Sequence, residues 1–183
     1  MRVNYYPVDL ELLFSKKPFL TLEIQKSPQL NWEFSYVKPA EVEIVETVET
    51  RMEHTISENM QKKNAVIEVE TGMKKELVAF FSSSLLRVSV VEKYGEIKVF
   101  DGTTDKPLSQ VYVKVFAKKG SESSFHKDGY TDIRGRFDYV SVSSSSGLKD
   151  FKKFGILVVS DELGSLTREA NPPWVTGKRA DKI

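Results

Sequence analysis

The chain has 183 residues, enough for one large or two small domains, and its 27 basic residues nearly balance its 26 acidic ones. A formal charge of +1 offers no general attraction to a polyanion, because nucleic-acid binding normally needs a basic excess on one face. The absence of cysteine excludes disulfides, thiol nucleophiles and thiolate metal sites. No apolar run approaches the roughly 20 residues of a membrane-spanning helix, so we predict neither nucleic-acid binding nor membrane insertion by this segment.

The first third of the chain has short stretches in which apolar and polar residues alternate. Residues 8–12 and 20–24 alternate in this way and predict two strands, and the aromatic residues within 32–37 predict a third. Residues 41–56 combine a helical apolar stripe with many β-branched side chains, which favour extended structure. We favour a strand there, and the helix stays open as the alternative.

From residue 64 onward the strand pattern becomes regular. Residues 65–70, 76–81, 85–91, 96–101 and 111–116 alternate or are apolar throughout, and turn residues recur roughly every 10 positions. Residues 155–159 are apolar on both faces, which predicts a central strand, and 165–168 follow after a turn. Because no helical pattern separates these strands, the sequence predicts an all-β fold rather than a parallel α/β sheet.

Turn and loop residues subdivide the second half of the chain. Gly102 and Gly135 are predicted to adopt positive φ, and Asp132 to accept hydrogen bonds from its own turn. The polar residues 118–127 and 141–153 are predicted to be exposed loops. Nine residues are predicted to make up most of the core of this half: Ile97, Val99, Val111, Val113, Val115, Phe137, Tyr139, Ile156 and Val158.

The order of these turn and core residues over about 75 positions resembles a known family of sandwiches. Gly95, Ile97, Val99 and Asp101, then Lys106-Pro107-Leu108, the alternating valines 111–115, and Gly129-Tyr130-Thr131-Asp132 with Gly135 and Phe137 carry the resemblance. The pattern is similar to the prealbumin-like sandwich of carboxypeptidase regulatory-like, transthyretin-like and macroglobulin-type domains. The resemblance implies an Ig-like support or interaction module without a shared catalytic residue set, often repeated in extracellular or periplasmic proteins.

The same resemblance suggests a domain plan for the whole chain. Residues 64–91 are similar to the end of a preceding macroglobulin-type domain, which implies tandem sandwiches. We therefore expect a β-rich domain over 1–93, a prealbumin-like sandwich over 94–170, and a tail or linker over 171–183.

Candidate catalytic residues are few. His126 lies beside Lys127-Asp128, but a catalytic triad also needs a nucleophile, and no Gly-x-Ser-x-Gly elbow is present. His54 lacks a second histidine at metal-binding spacing. We predict no catalytic, cofactor-binding or metal site, and hence no enzyme and no cofactor.

Three weaker alternatives concern carboxylates and aromatic rings. Asp128, Asp132 and Asp138 suggest calcium, although their spacing is not that of a calcium-binding loop. An acidic run from Glu41 to Glu53 is more simply a charged sheet edge than a pair of catalytic carboxylates. The aromatic residues of the 32–37 stretch, with those at the C-terminal end, suggest a sugar-binding platform: Trp32, Phe34, Tyr36 and Trp174.

These features together predict a non-catalytic structural or protein-interaction module within a longer multidomain protein. The partner is expected to be a protein, contacted through exposed edges and loops. A carbohydrate- or calcium-binding accessory module is the alternative.

Overall fold

The computed structural model describes residues 1–26, 41–44, 55–72, 74–141 and 150–173, with the main chain alone for 25, 41–44 and 74–78. The chain divides into two compact units, Met1–Ser83 and Ser84–Ile183. The expected division was at 93/94. The observed one comes earlier because the strand β5, Leu86–Val91, pairs with β6, Glu96–Asp101, inside the second unit.

The first unit contains four strands, β1 Arg2–Pro7, β2 Glu41–Ile44, β3 Ala65–Thr71 and β4 Lys74–Phe81. They form one antiparallel sheet in the order β2-β1-β3-β4. The predicted strands at 65–70 and 76–81 are confirmed, and the strand favoured for 41–56 is present over its first four residues. Residues 45–54 and the predicted strand 32–37 lie outside the described residues.

The strands predicted at 8–12 and 20–24 are wrong, because both segments are helical. Helix α1 is Leu10–Lys16 and helix α2 is Leu20–Lys26. Asp9 begins α1, where its side chain accepts a hydrogen bond from the Leu12 amide at 2.9 Å. Over five residues the alternation of period two also satisfies the i, i+4 spacing of a helix, so the period alone could not decide.

Both faces of the first sheet are covered. On one face, Leu20 and Ile24 of α2 pack with Tyr6 and Val66. On the other face, Val3 and Tyr5 pack with Met60. The fully buried Glu68 accepts hydrogen bonds from Asn4 Nδ2 at 3.2 Å and from the Tyr6 hydroxyl at 3.3 Å. Burial, reinforced by this carboxylate, raises the pKa of Tyr6 to about 12.

The second unit consists of a four-stranded and a three-stranded antiparallel sheet. Besides β5 and β6, its strands are β7 Tyr112–Lys119, β8 Glu122–Tyr130, β9 Arg136–Asp138, β10 Lys153–Ser160 and β11 Gly164–Ala170. The four-stranded sheet has the order β11-β10-β7-β8 and the three-stranded sheet the order β5-β6-β9. The strand β10 lies between two neighbours, which confirms the central strand predicted at 155–159.

The loop predicted at 118–127 is wrong, because most of these residues belong to a hairpin. Strands β7 and β8 continue to Lys119 and from Glu122, and Gly120 turns the chain at φ 63°. Polar composition here marks an exposed edge strand rather than a loop. Of the second predicted loop, residues 142–149 lie outside the described residues.

The core of the second unit lies between its two sheets. All nine residues predicted for this core are buried in one cluster, which they share with further apolar residues such as Phe154 and Leu166. Burying one such side chain contributes about 1.5–3 kcal/mol relative to leaving it in water. The described part of the chain contains no helix long and apolar enough to cross a membrane.

Candidate protein-contact surface

The loop between β6 and β7 is held by hydrogen bonds from its own side chains. Asp101 accepts from the amides of Thr103 at 2.7 Å and Thr104 at 3.0 Å, which hold the pKa of this carboxyl below its usual range. Asp105 has a φ of 61° and its carboxylate binds Arg87 at 2.6 Å. The loop therefore has a defined shape although every residue from 102 to 107 is exposed.

Positive φ in this loop occurs at other residues than the sequence predicted. Gly102 is not among the residues with positive φ, so that prediction is wrong, whereas Asp105 and Gln110 adopt it at 61° and 59°. A Cβ atom on Gly102 would lie 2.5 Å from the carbonyl oxygen of Leu85, to which the Gly102 amide donates. Glycine is required here for the close approach of two main chains.

The turn between β8 and β9 forms as predicted. The Asp132 carboxylate accepts from the amides of Arg134 at 2.8 Å and Arg136 at 2.9 Å, and the latter bond is the main cause of its lowered pKa. Gly135 has a φ of 72° and is buried. A Cβ atom there would meet the Val99 carbonyl oxygen at 2.4 Å.

Thr131 joins the turn to the loop. Its hydroxyl donates to the Leu108 carbonyl at 2.7 Å and accepts from the Val111 amide at 3.0 Å. The Leu108 amide in turn donates to the Val99 carbonyl at 3.0 Å. We call residues 102–110 and 130–135 together the loop–turn surface.

The loop–turn surface exposes two large apolar side chains. Ile133, at the tip of the turn, is 86% exposed and Tyr130 is 66% exposed. Beside them is an open groove of about 430 Å³ whose lining is polar and carries both charges: Glu96, Lys127, Gly129, Tyr130, Asp132, Arg136, Phe137 and Asp138. The surface thus combines two exposed apolar side chains with charged groups around them, a mixture that protein interfaces show between their core and their rim.

His126 and Lys127 bridge the two sheets farther along β8. A bulge between β7 and β8 lies beside His126, whose Nε2 is 2.9 Å from the Tyr139 carbonyl oxygen. A carbonyl cannot donate, so this nitrogen carries a hydrogen. Lys127 Nζ donates to the Asp138 carbonyl at 2.7 Å, and burial lowers the pKa of His126.

Two of the three aspartates considered for calcium, Asp132 and Asp138, line the same groove. Asp132 is engaged by the amides of its own turn, and Asp128 accepts from the Tyr112 hydroxyl at 2.9 Å. No group of three or more histidine or carboxylate side chains suited to a metal ion occurs among the described residues. His54, Trp174, the 32–37 aromatic residues and most of the acidic run lie outside them.

Comparison with known proteins gives two family matches. Residues 1–67 match the model of the AbpF seventh immunoglobulin-like domain, and residues 85–175 match that of the AbpF C-terminal domain. The chain is also 34% identical over 174 residues to the Actin-binding protein F of Dictyostelium discoideum. That alignment covers 93% of this chain and 7% of the relative.

No solved structure matched the chain. The family matches support the Ig-like part of the resemblance found in the sequence, and they do not support its carboxypeptidase regulatory-like or macroglobulin-type part. The sequence did not predict that the loop and the turn form one surface. Thr131 and Ile133 were nevertheless part of the turn motif between Gly129 and Phe137. The antiparallel sheets and the two matched domains together show that the chain is an all-β protein with tandem Ig-like sandwiches.

Proposed function

We propose that this chain is a non-catalytic pair of Ig-like domains that makes protein contacts within an actin-associated multidomain protein. The observation that carries the proposal is the 34% identity to Actin-binding protein F along 93% of the chain. Since the chain spans only 7% of that relative, direct contact with actin is itself part of the proposal.

The geometry of the second unit supports a role in contact. Its loop–turn surface is fixed by internal hydrogen bonds and exposes Ile133 and Tyr130, so little freedom would be lost when a partner binds. A surface of this kind suits recognition by shape. The lining of the adjoining groove positions no nucleophile beside a base.

Co-sedimentation of the 183-residue chain with actin filaments tests the actin part directly. We expect saturable binding at physiological ionic strength, with a Kd below about 100 μM, which corresponds to roughly −5 kcal/mol. The same chain centrifuged without filaments is the control. If the pelleted fraction does not rise above this control at saturating filament concentration, direct actin contact is wrong.

We further propose that the second unit follows the prealbumin-like plan and that residues 171–183 form a tail or linker. An experimental structure of the chain would test both, through the strand connections of the second unit and the course of its last residues. We do not advance the carbohydrate- or calcium-binding alternative, since none of the described contacts favours it.

A further inference from the structure

The apolar side chain at the tip of the β8–β9 turn has no role in the fold of its unit. Ile133 is 86% exposed, while the turn around it is formed by Asp132 and Gly135. A polar residue at this position would serve the turn equally well. Together with Tyr130, which is 66% exposed, Ile133 gives this end of the second unit an apolar point of contact.

The acidic side chains in and beside this surface already have donors of this chain in contact. Asp101, just before the surface, binds two amides of the loop, Asp132 binds two amides of the turn, and Asp105 binds Arg87 of β5. A cationic partner would have to compete with these donors for the same oxygen atoms.

The two basic side chains of the surface differ from these carboxylates in their contacts. Lys106 and Arg134 are both exposed, and within the described ranges neither side chain forms a hydrogen bond or an ion pair. They act on the surface only through the field that lowers the pKa values of Asp101 and Asp132. The loop–turn surface thus presents an apolar tip with the cation Arg134 next to it in the turn and the cation Lys106 in the adjoining loop.

We propose that the loop–turn surface docks onto an acidic protein surface, with Ile133 entering an apolar pocket and Arg134 and Lys106 meeting carboxylates around it. This inference rests on the proposed protein-contact function and names the chemistry of the partner. Rigid presentation favours it, because Thr131 and Gly135 already fix the loop and the turn relative to one another. Guanidinium and aliphatic groups on a fixed frame are suited to a compact contact of this kind.

The first arm of the test uses three synthetic decapeptides and the ¹⁵N-labelled 183-residue chain in NMR titrations. In one peptide Asp and Leu alternate, in the second Lys replaces Asp, and in the third Ser replaces Leu. We expect the Asp–Leu peptide to shift the amides of residues 103–110 and 130–136, saturating below about 1 mM, and the other two peptides to bind about ten-fold more weakly. Equal binding of the Lys–Leu peptide, or shifts located elsewhere, would overturn the proposal.

The second arm uses two variants with matched controls. Ile133→Ser and Arg134→Glu should each weaken binding of the Asp–Leu peptide by about ten-fold, whereas Leu12→Ser and Lys62→Glu should change it by less than about two-fold. Leu12 is a suitable control because it is 54% exposed and lies in the first unit. Because Ile133 and Arg134 are exposed, amide spectra should show both variants folded. An unchanged affinity in both would contradict the proposal.

The outcomes separate this proposal from the proposed function. If the chain sediments with actin filaments but the Asp–Leu peptide does not act at the loop–turn surface, this inference is wrong and the contact function stands. If the peptide binds there and actin does not, the actin part of the proposed function is wrong. In sedimentation, a ten-fold loss for Arg134→Glu alongside an unchanged Lys62→Glu would identify actin as the acidic partner.

Discussion

The two ends of strand β8 show that polar, glycine-containing connections can differ in how firmly they are held. At one end Gly120 turns the chain from β7 into β8, and a Cβ atom added there would meet nothing within 4 Å. At the other end Gly135 lies against the Val99 carbonyl within a network of internal hydrogen bonds. Both glycines have positive φ, so the difference lies in what surrounds them.

The comparison suggests what separates a connection from a contact surface. The hairpin at Gly120 only reverses the chain, with Lys119 and Asp150 forming an exposed ion pair at 2.6 Å, a type of contact that contributes little. The loop–turn surface fixes the positions of Tyr130 and Ile133 through Thr131, Asp132 and Gly135. Substitutions at four residues test this difference between the two ends of β8.

The largest effect is expected for Gly135→Ala. The new methyl group would clash with the Val99 carbonyl at a positive φ, so we expect the second unit to lose about 3 kcal/mol of stability. Hydrogen exchange of buried β7 and β10 amides measures this loss within the unit itself. A loss below about 1 kcal/mol would show that the turn can shift, and that the loop–turn surface is less rigid than we infer.

The second prediction concerns Thr131→Val, which keeps the shape of the side chain and removes its hydroxyl. The Leu108 carbonyl and the Val111 amide would lose their partner, and Thr131 is only 4% exposed, so we expect a loss of about 2 kcal/mol. Thr131→Ser, which retains the hydroxyl, is the matched control in the same exchange measurement. Equal losses for the two variants would argue that packing, not the hydrogen bonds, matters here.

The sequence allowed the core to be predicted more fully than the contact surface. Alternation selected Val111, Val113 and Val115 correctly, because strands buried on one face impose a period of two over several residues. The 8–12 segment was too short for that signal, and the cap at Asp9 was overlooked. An N-cap followed by leucines at helical spacing was the available clue.

The loop–turn surface depends on contacts that sequence patterns do not encode. Asp132 and Gly135 were predicted in their turn roles, since turn chemistry is local. The bond from Thr131 to Leu108 spans 23 residues, and the positive φ of Gln110 follows from the fold around it. The pairing of loop with turn therefore became visible only in three dimensions.

The third prediction is the counterpart at the hairpin, Gly120→Ala. Open space surrounds this residue, so only the positive φ of 63° should be costly, and we expect a loss of about 1 kcal/mol. Urea unfolding of Gly120→Ala and Gly135→Ala under the same conditions gives the direct comparison. Equal losses at both glycines would contradict the distinction drawn between the two ends of β8.

The fourth prediction, with the smallest expected effect, concerns how the stability of the second unit depends on pH through His126, in the middle of β8. Burial lowers the pKa of His126 in the folded protein, so between that value and the unfolded value of about 6.5 the unfolded chain binds more protons. The stability that depends on neutral His126 is complete above pH 6.5 and is lost as the pH falls through the folded pKa. The hydrogen bond from the Arg136 amide likewise lowers the pKa of Asp132. The stability that depends on its ionised carboxylate is therefore lost only near pH 4 and below.

Urea unfolding at pH 7.5 and 5.5 tests this separation. We expect the native protein to be less stable at pH 5.5, and His126→Gln to reduce the difference between the two pH values. His54→Gln, which replaces the only other histidine, is the matched control. If Asp132→Asn rather than His126→Gln altered the response in this range, the acid sensitivity would belong to the loop–turn surface. The fixed bond from His126 to the Tyr139 carbonyl would then have no part in it.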